Sequence, residues 1–353
     1  MNLERHIVPG VPTLLMGPPG IGKTASVYRY AKSKGLHLET IIASIRDSTD
    51  FSGMPVPDLE NGVMRYLPQD WAKRFQDNGG GVLFLDEINT APPTVQHALL
   101  RVVLERVVGD YKLPDNVAII AAANPIDSAT FRWRLDPALI TRFKVIKVNV
   151  DTQDWIAGFP TYWGDPPSIP GLDENTWRGK RALVAAFIHH RPDMILQPPK
   201  EESGDDENWP CPRTWDYVSR CLTIHDRVQE LFDDIEGCIG SAAAREFVTW
   251  ATNLDLPDPV EFMEHPQSYR WPDRGDKVYA LLTAVVLHGL ENEARWNQAW
   301  SVIVKAAEDN MPDLAVMAAR QLLTADPKRT SGFKRTVSIA SLAPLLRAAG
   351  ELP

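Results

Sequence analysis

Short apolar runs alternate with amphipathic stretches over roughly the first 150 residues. The runs have the length of β-strands, and the stretches between them have helical spacing. This alternation predicts βαβ units around a mainly parallel sheet, an α/β fold. The predicted strands are Thr13–Met16, Leu38–Ala43, Val82–Asp86, Val117–Ala122 and Val145–Val150.

Two of these runs, VLFL at residues 82–85 and VAIIAAA at residues 117–123, contain no polar residue. A strand with one face in water alternates polar and apolar side chains, whereas a strand covered on both faces does not. We therefore expect helices on both sides of the sheet.

The pattern changes after residue 150. Residues 151–175 are rich in Pro, Gly and Trp, which predicts a linker. Helical spacing returns at residues 176–255, which contain a low-hydrophobicity acidic insert at 201–208, and again after a Pro-rich break at residues 256–272. We expect a core at residues 1–150, a linker at 151–175, a helical domain at 176–255 and a helical extension at 256–353.

A hairpin is predicted inside the first domain. The stretches 54–57 and 63–66 flank the turn Asp58-Leu59-Glu60-Asn61-Gly62, and Asn-Gly is a strong hairpin signal. A hairpin between the second strand and its next helix would protrude from the core. Such a hairpin either contacts another molecule or lies on the surface without a binding role.

Composition narrows the function classes. The chain of 353 residues has 44% hydrophobic residues, 24% charged residues and a formal net charge of −9. An acidic surface repels phosphate backbones, so non-specific nucleic-acid binding is disfavoured. The three cysteines form no C-x-x-C pair, and no apolar stretch reaches membrane-spanning length. The first ten residues, MNLERHIVPG, lack the apolar core expected of a secretory signal. These features favour a cytoplasmic protein with reduced thiols and no membrane contact.

The most specific motif follows the first predicted strand and precedes a helix-compatible stretch. It is a complete G-x-x-x-x-G-K-T phosphate-binding loop, formed by Gly17, Pro18, Pro19, Gly20, Ile21, Gly22, Lys23 and Thr24. In that setting backbone N–H groups wrap phosphate oxygens, with the helix N-terminus adding its positive dipole end. Lys23 is expected to reach the β- and γ-phosphates, and the Thr24 hydroxyl is expected to ligate Mg²⁺.

Acidic and amide side chains follow two other predicted strands. Asp86 and Glu87 end the run VLFLDE, and Asn124 ends VAIIAAAN. Ligands of α/β sheets lie at the carboxyl ends of the strands. Asp86 can therefore hold the water shell of Mg²⁺, Glu87 can polarise an attacking water, and Asn124 can bond that water or the γ-phosphate. Solvated strand-end acids and a turn-forming Asn before Pro125 are the alternatives.

Two arginines are further candidates. Arg142 closes the short helical segment DPALITRF, from which its charge could reach the γ-phosphate of a neighbouring subunit. Arg213 is in the first turn of a predicted helix, where its positive charge is repelled by the positive end of the helix dipole. This unfavourable placement indicates that Arg213 binds an external anion. An intrachain pair of Arg142 with Asp136 and an ordinary solvated Arg213 are the alternatives.

The motifs GPPGIGKT, FLDEIN, AAANP, LITRF and PCPRTW, in this order, resemble the AAA+ ATPases, and most of all their MoxR and dynein-related branch, which includes magnesium-chelatase-like ATPases. The resemblance covers roughly residues 10–255. It implies a P-loop αβα sandwich with a parallel five-stranded sheet, an all-helical lid and ATP with Mg²⁺ as ligands. The segment at residues 47–71, DSTDFSGMPVPDLENGVMRYLPQDW, resembles that branch's insertion hairpin within the second helix.

The resemblance also assigns roles. Lys23 and Thr24 match the Walker A residues, Asp86 and Glu87 the Walker B pair, and Asn124 the first sensor. Arg142 matches the arginine finger, with Arg132 and Arg134 as nearby rivals, and Arg213 matches the second sensor.

The resemblance further implies a homo-oligomer, usually a hexameric ring, that hydrolyses ATP to remodel a partner complex. Such ATPases often act with a partner that carries a von Willebrand A domain. A nucleic-acid-associated AAA+ motor, a P-loop small-molecule kinase and a non-catalytic ATP switch are the alternatives.

Overall fold

The computed structural model describes residues 3–125, 134–161, 163, 173–199, 208–224 and 227–325. The chain divides into two compact units, Met1–Val150 and Asp151–Pro353. None of the helices in the described ranges combines the length and the apolarity that crossing a membrane requires.

Within the described ranges, the strands lie in the first unit. They are β1 (Thr13–Met16), β2 (Leu38–Ile42), β3 (Met54–Asp58), β4 (Val63–Leu67), β5 (Gly81–Asp86), β6 (Val107–Val108), β7 (Tyr111–Lys112), β8 (Val117–Ala123) and β9 (Lys144–Lys147). Five of them form one parallel sheet in the order β2-β5-β8-β1-β9. The prediction of a parallel five-stranded sheet is confirmed.

Five helices of the first unit connect these strands. They are α1 (Lys23–Lys34), α2 (Thr49–Ser52), α3 (Asp70–Asp77), α4 (Pro93–Glu105) and α5 (Pro137–Ile140). Pro93 and Pro137 stand at helix starts, where the missing N–H costs nothing. The Asp136 carboxylate accepts the Ala138 N–H at 2.7 Å and caps α5.

The two faces of the sheet carry separate apolar clusters. In β5, Leu83 and Leu85 join one cluster, which also contains residues of α3 and α4. Val82 and Phe84, which alternate with them, join the other, which contains residues of α1. The polar-free runs therefore reflect burial on both faces, as expected.

Strand β9 is shorter than predicted. It ends at Lys147, whereas the apolar pattern extended it to Val150. The last pairing with β1 joins Lys147 to Met16, after which the β1 chain turns into the loop that begins at Gly17. Val148 still donates its N–H to Met16 O at 2.7 Å, but no partner strand continues beyond that point.

The predicted hairpin is present as the antiparallel pair β3 and β4. Pro55 pairs with Tyr66 and Pro57 with Met64. Proline has no N–H to donate, so it fits the non-hydrogen-bonded pairs of an antiparallel ladder, at which the backbone N–H and C=O groups point away from the partner strand. Tyr66 accordingly exchanges hydrogen bonds with Asp110, donating to its carboxylate at 2.9 Å and accepting its N–H at 2.8 Å.

The hairpin exposes apolar side chains. Leu59 at its turn is 89% exposed, and Met54, Val63 and Met64 are each about half exposed. The Asp58–Arg65 pair, with Nε and Oδ2 2.8 Å apart, joins the two strands, and Arg65 holds the pKa of Asp58 down at about 2. Prolines on β3 leave its outer edge unable to accept a further strand in full register.

Unit 2 is helical in its described ranges. The helices are α6 (Thr152–Gly158), α7 (Glu174–His190), α8 (Pro212–Cys221), α9 (Phe232–Ile239), α10 (Ser241–Thr252), α11 (Pro259–Glu264), α12 (Gly275–Gly289), α13 (Glu293–Glu308) and α14 (Pro312–Ala325). Helix α12 packs against α7, α13 and α14. The acidic insert predicted at residues 201–208 lies, apart from Asn208, outside the described residues.

Part of the predicted linker at residues 151–175 is a packed helix. Helix α6 begins after the Asp151 cap, and its Trp155 and Ile156 are buried. The Tyr279 hydroxyl donates to Ile156 O at 3.0 Å, and burial raises the pKa of Tyr279 to about 12, so the phenol stays a donor. Gln321 donates to the same carbonyl at 3.3 Å. The Pro and Gly content predicted a loop, because local composition carries no information about contacts with residues that are distant in sequence.

Gly53, at the base of the hairpin, allows a crowded turn that other residues would disrupt. Its φ is 86°, and a Cβ there would lie 2.6 Å from Gly109 Cα. We expect Gly53→Ala to lower the free energy of unfolding by about 2–3 kcal/mol, since backbone strain and a backbone clash add. Urea unfolding followed by circular dichroism measures this change.

Gly62→Ala is the matched control, because Gly62 also has a positive φ, 65°, but has nothing within 4 Å of the added carbon. It should cost about 1 kcal/mol. Equal losses in the two variants would contradict the crowding described for Gly53.

Candidate functional site

The G-x-x-x-x-G-K-T loop connects β1 to α1 at the carboxyl edge of the sheet. It leaves the sheet at Gly17, whose N–H donates to Ala123 O at 3.2 Å. A Cβ on Gly17 would lie 2.4 Å from Val148 O, so only glycine fits there. Gly20 and Gly22 have φ values of 76° and 89°, the left-handed region that glycine adopts readily.

Helix α1 begins directly after Gly22, and no side chain caps it. The backbone N–H groups of its first turn lie at the positive end of the helix dipole, and the residue before the helix has no side chain that could cap them. Together with the turn at Gly20 and Gly22, they form a backbone cradle suited to an anion such as a phosphate.

Lys23 connects this loop to another strand. Lys23 is buried, with 8% of its surface exposed. Its Nζ donates to Gly17 O at 2.7 Å and to Pro18 O at 2.9 Å. A third bond, at 2.7 Å, goes to the Asn124 Oδ1 that follows β8. The ammonium is thus held among oxygen acceptors beside the cradle, which is where a phosphate-binding cation is needed.

Thr24 connects the loop to β5. Its hydroxyl donates to Asp86 Oδ2 at 2.7 Å. A hydroxyl and a carboxylate at this separation are a donor set that Mg²⁺ accepts, because this ion commonly takes one or two protein ligands and completes its shell with water and phosphate oxygens. The residues present therefore fit a magnesium–nucleotide complex.

Glu87 comes directly after β5 and has an unusual backbone conformation. Its φ is 55°, which is costly for a residue with a side chain. Its N–H donates to Asp86 Oδ1 at 2.9 Å, and the next residue, Ile88, donates its N–H to Ala122 O at 3.1 Å. These bonds fix a turn that leaves the Glu87 side chain exposed at the strand ends.

Ser44 contacts the Glu87 carboxylate. It follows β2, and its hydroxyl donates to Glu87 Oε2 at 3.2 Å. The sequence analysis did not single out Ser44, because the only signal is its place just beyond a strand end. The strand order makes the contact possible, since β2 is the neighbour of β5.

Asn89 is a second residue that the sequence analysis missed. It is 4% exposed, its amide donates to Asn124 O at 3.1 Å, and its Oδ1 accepts the Asn124 N–H at 3.2 Å. One side chain therefore satisfies both backbone groups of Asn124. This pairing positions the Asn124 amide, which in turn accepts from Lys23.

Arg142 lies away from the loop of its own chain. It precedes β9, whose first residue Lys144 pairs with Thr13 at the start of β1, whereas the phosphate loop follows the end of β1. The length of β1 separates the two positions, about 10 Å at 3.3 Å per residue. Asp136 pairs with His97 at 3.2 Å, and the alternative intrachain pair of Asp136 with Arg142 is not among the ion pairs of the described residues.

The Arg142 guanidinium donates to Ala138 O, while its Nε is buried without a hydrogen-bond partner. It makes no ion pair within the described ranges. The rival Arg134 is exposed, and Arg132 lies outside the described residues.

Arg213 is an exposed residue in the first turn of α8. Cys211 and Thr214 form a capping box there, with the Cys211 N–H donating to Thr214 Oγ1 at 2.9 Å. Arg213 belongs to unit 2, and its role beside the phosphate loop stays a prediction.

Comparison with known proteins identifies the first unit. Residues 12–143 match the AAA domain, dynein-related subfamily. The segment therefore forms an AAA domain of the AAA+ ATPases, and the resemblance noted from the motifs is confirmed.

Individual relatives are more distant. The chain is similar to the Psp operon transcriptional activator of Escherichia coli (strain K12), with 34% identity over 36% of this chain and 43% of that protein. It is also similar to the chaperone MoxR1 of Mycobacterium tuberculosis, with 30% identity over 39% of this chain and 35% of that protein. The chain thus spans less than half the length of these relatives.

Among solved structures, the RuvB Holliday junction branch migration motor of Thermotoga maritima aligns over 75% of this chain and 71% of that chain. The TM-score is 0.33 and the identity 18%. A structural similarity with this TM-score is too low to support a conclusion about this chain.

The Asn89 pairing generates a stability prediction. Asn89→Ala should lower the free energy of unfolding by about 1–3 kcal/mol, because it leaves a backbone N–H and C=O of Asn124 without partners. Urea unfolding again measures this.

Asn78→Ala is the control, since the exposed Asn78 amide donates to Arg74 O at 2.8 Å on the surface. Its cost should stay within about 0.5 kcal/mol. If Asn89→Ala were as mild as Asn78→Ala, Asn89 would not be what holds Asn124.

Proposed function

We propose that this chain, whose residues 12–143 form an AAA domain, is a MoxR-like ATPase that hydrolyses ATP between subunits of a homo-oligomeric ring. One observation carries the proposal. Two hydrogen bonds connect the loop after β1 to the ends of β8 and β5. Lys23 donates to Asn124 at 2.7 Å, and Thr24 donates to Asp86 at 2.7 Å. A phosphate cradle, a metal-ligand pair and the exposed carboxylate of Glu87 thereby share one edge of the sheet.

The binding roles follow from these contacts. Backbone N–H groups of residues 17–24 hold phosphate oxygens, and the Lys23 ammonium neutralises the β- and γ-phosphates. Thr24 and Asp86 hold Mg²⁺ directly or through its water shell. When bound, Mg²⁺ neutralises phosphate charge that develops during transfer.

The hydrolytic roles fall to residues around Glu87. Its exposed carboxylate accepts a hydrogen bond from the attacking water and draws its proton. Ser44 holds one carboxylate oxygen at 3.2 Å, which restricts where Glu87 can point. Asn124 orients the same water or the γ-phosphate, and Asn89 keeps Asn124 in place.

Arg142 acts in a neighbouring subunit. It lies at the start of edge strand β9, at the opposite end of β1 from its own phosphate loop, so a second copy is its natural target. A head-to-tail contact that repeats until it closes produces a ring, and we propose a hexamer. Arg213 would sense the γ-phosphate from the helical lid.

We further propose that the work of this cycle is to remodel a partner protein complex in the cytoplasm. The similarity to the chaperone MoxR1 supports this, as do the exposed apolar residues of the β3–β4 hairpin, which are suited to touching a partner. By the motif resemblance, a protein with a von Willebrand A domain is the expected partner.

A nucleic-acid-linked ATPase is the second candidate. The similarity to the Psp operon transcriptional activator favours it, whereas the net charge of −9 opposes it. Stimulation of ATP turnover by DNA or RNA would select this candidate. A small-molecule kinase, the other alternative, would require an acceptor molecule for turnover and would work as a monomer.

Glu87→Gln separates binding from hydrolysis. We expect it to bind a fluorescent ATP analogue like the unaltered protein but to lower ATP turnover at least about 100-fold, because an amide cannot take the proton of water. Lys23→Ala should abolish binding itself, since the phosphates lose their main cation. Normal ATP turnover in Glu87→Gln would show that another group activates the water.

Arg142→Ala tests the shared site. Binding should persist while turnover falls by about 10³-fold or more, the usual effect of losing such an arginine. Mixing equal amounts of the Arg142→Ala and Glu87→Gln proteins should restore activity at about a quarter of the contacts, where an intact Glu87 meets an intact Arg142.

Arg134→Ala is the matched control, because Arg134 is an exposed arginine eight residues upstream of Arg142. It should leave turnover nearly unchanged. If Arg134→Ala abolished turnover and Arg142→Ala did not, the finger would be Arg134. If the mixture stayed inactive, the two residues would not serve one site across a contact.

A further inference from the structure

Two cysteines that are 17 residues apart in sequence meet in the second unit. Cys221 is the last residue of α8 and Cys238 lies one residue before the end of α9. Their Sγ atoms are 4.0 Å apart, within hydrogen-bonding distance for thiols. The sequence analysis expected unrelated reduced thiols, because this spacing is not a C-x-x-C motif.

Buried apolar residues anchor the two helix ends, whereas the two thiols are partly exposed to solvent. Leu222, Ile235 and Ile239, which flank the cysteines, are each at most 1% exposed and anchor both helix ends. Cys221 and Cys238 themselves are partly exposed. The third cysteine, Cys211, is buried and lies in the capping box at the other end of α8.

The 4.0 Å separation of the two sulfurs is short enough for a disulfide to form after a small local movement. A disulfide requires the sulfurs to approach by about 2 Å, to 2.05 Å. Rotation about χ1 moves a sulfur by this amount, and the end of a helix such as α8 tolerates small backbone changes. The hydrogen bond from Cys238 lowers the pKa of Cys221 against the opposing effects of burial and of the Asp234 charge, which favours the thiolate that thiol–disulfide exchange requires.

We propose that Cys221 and Cys238 are a modification site that closes to a reversible disulfide on exposure to a low-molecular-weight disulfide. The bond fastens the C-terminal end of α8, the helix that carries Arg213 in its first turn, to α9. It does not depend on ATP hydrolysis. In a reducing compartment the pair stays open, so the bond would report oxidation rather than serve as a permanent support.

The chemistry is thiol–disulfide exchange in two steps. One cysteine thiolate attacks a sulfur of the small disulfide, whose S–S bond breaks and releases one small thiolate. The second cysteine loses its proton to solvent and attacks the mixed disulfide, which releases the second small thiolate. Two protein thiols are oxidised, and one small disulfide is reduced to two thiols.

The test treats the folded protein with oxidised glutathione, then unfolds it, alkylates the remaining thiols and measures its intact mass. We expect one alkyl group per chain, at Cys211, the loss of two hydrogens, and a peptide pair that joins residues 221 and 238. Dithiothreitol should restore three alkylated cysteines. Three alkylated cysteines after glutathione treatment, a lasting glutathione adduct on either thiol, or disulfide-linked dimers would overturn the proposal.

Single variants sharpen this result. Cys221→Ser and Cys238→Ser should each lose the internal bond and instead hold one glutathione on the remaining partner, whereas Cys211→Ser should form the bond normally. Closing the bond should raise Tm by about 5–10 °C in the unaltered protein and not in Cys221→Ser. An unchanged or lower Tm would show that the bond does not fasten α8 to α9.

Discussion

The contact between Lys23 and Asn124 is the interaction on which the candidate site depends. The buried Lys23 ammonium donates hydrogen bonds to two carbonyl oxygens of its own loop and to the Asn124 Oδ1 at the end of β8. These hydrogen bonds fix the position of the Lys23 side chain beside the phosphate loop. Because β1 and β8 are neighbours in a parallel sheet, their carboxyl ends bring the loop and Asn124 together. The same geometry places Asp86 beside Thr24.

Much of this could be predicted from the sequence. Polar-free runs indicated strands covered on both faces, and the glycine pattern indicated where the backbone turns around an anion. Those signals are local, and the structure confirms the sheet that they predicted. Ser44 and Asn89 could not be found in this way, because their contacts with Glu87 and Asn124 depend on which strands are neighbours. Sheet order is a long-range property that spacing does not reveal.

The same limit explains the remaining differences. Helix α6 looked like a linker because proline and glycine surround it, yet Tyr279 and Gln321, more than 120 residues away, hold its backbone. Cys221 and Cys238 likewise meet only because α8 packs against α9. The hairpin, by contrast, is a local structure, and its Asn-Gly turn was sufficient to predict it.

The arrangement of charges divides the proposed reaction between two copies of the chain. Binding groups surround the phosphate loop, while Arg142 sits at the far end of β1 without an ion-pair partner in the described ranges. In the proposed reaction an isolated subunit binds ATP but lacks the arginine that a neighbouring copy supplies for hydrolysis. Under this proposal, association of subunits controls catalysis.

The most direct measurement is therefore ATP turnover per subunit across a wide range of protein concentrations, with saturating ATP and Mg²⁺ and with the oligomeric state followed in parallel. We expect turnover that is nearly absent at high dilution and rises steeply as subunits associate. Turnover per subunit that stays constant down to concentrations at which the protein is monomeric would show that no second subunit takes part in hydrolysis.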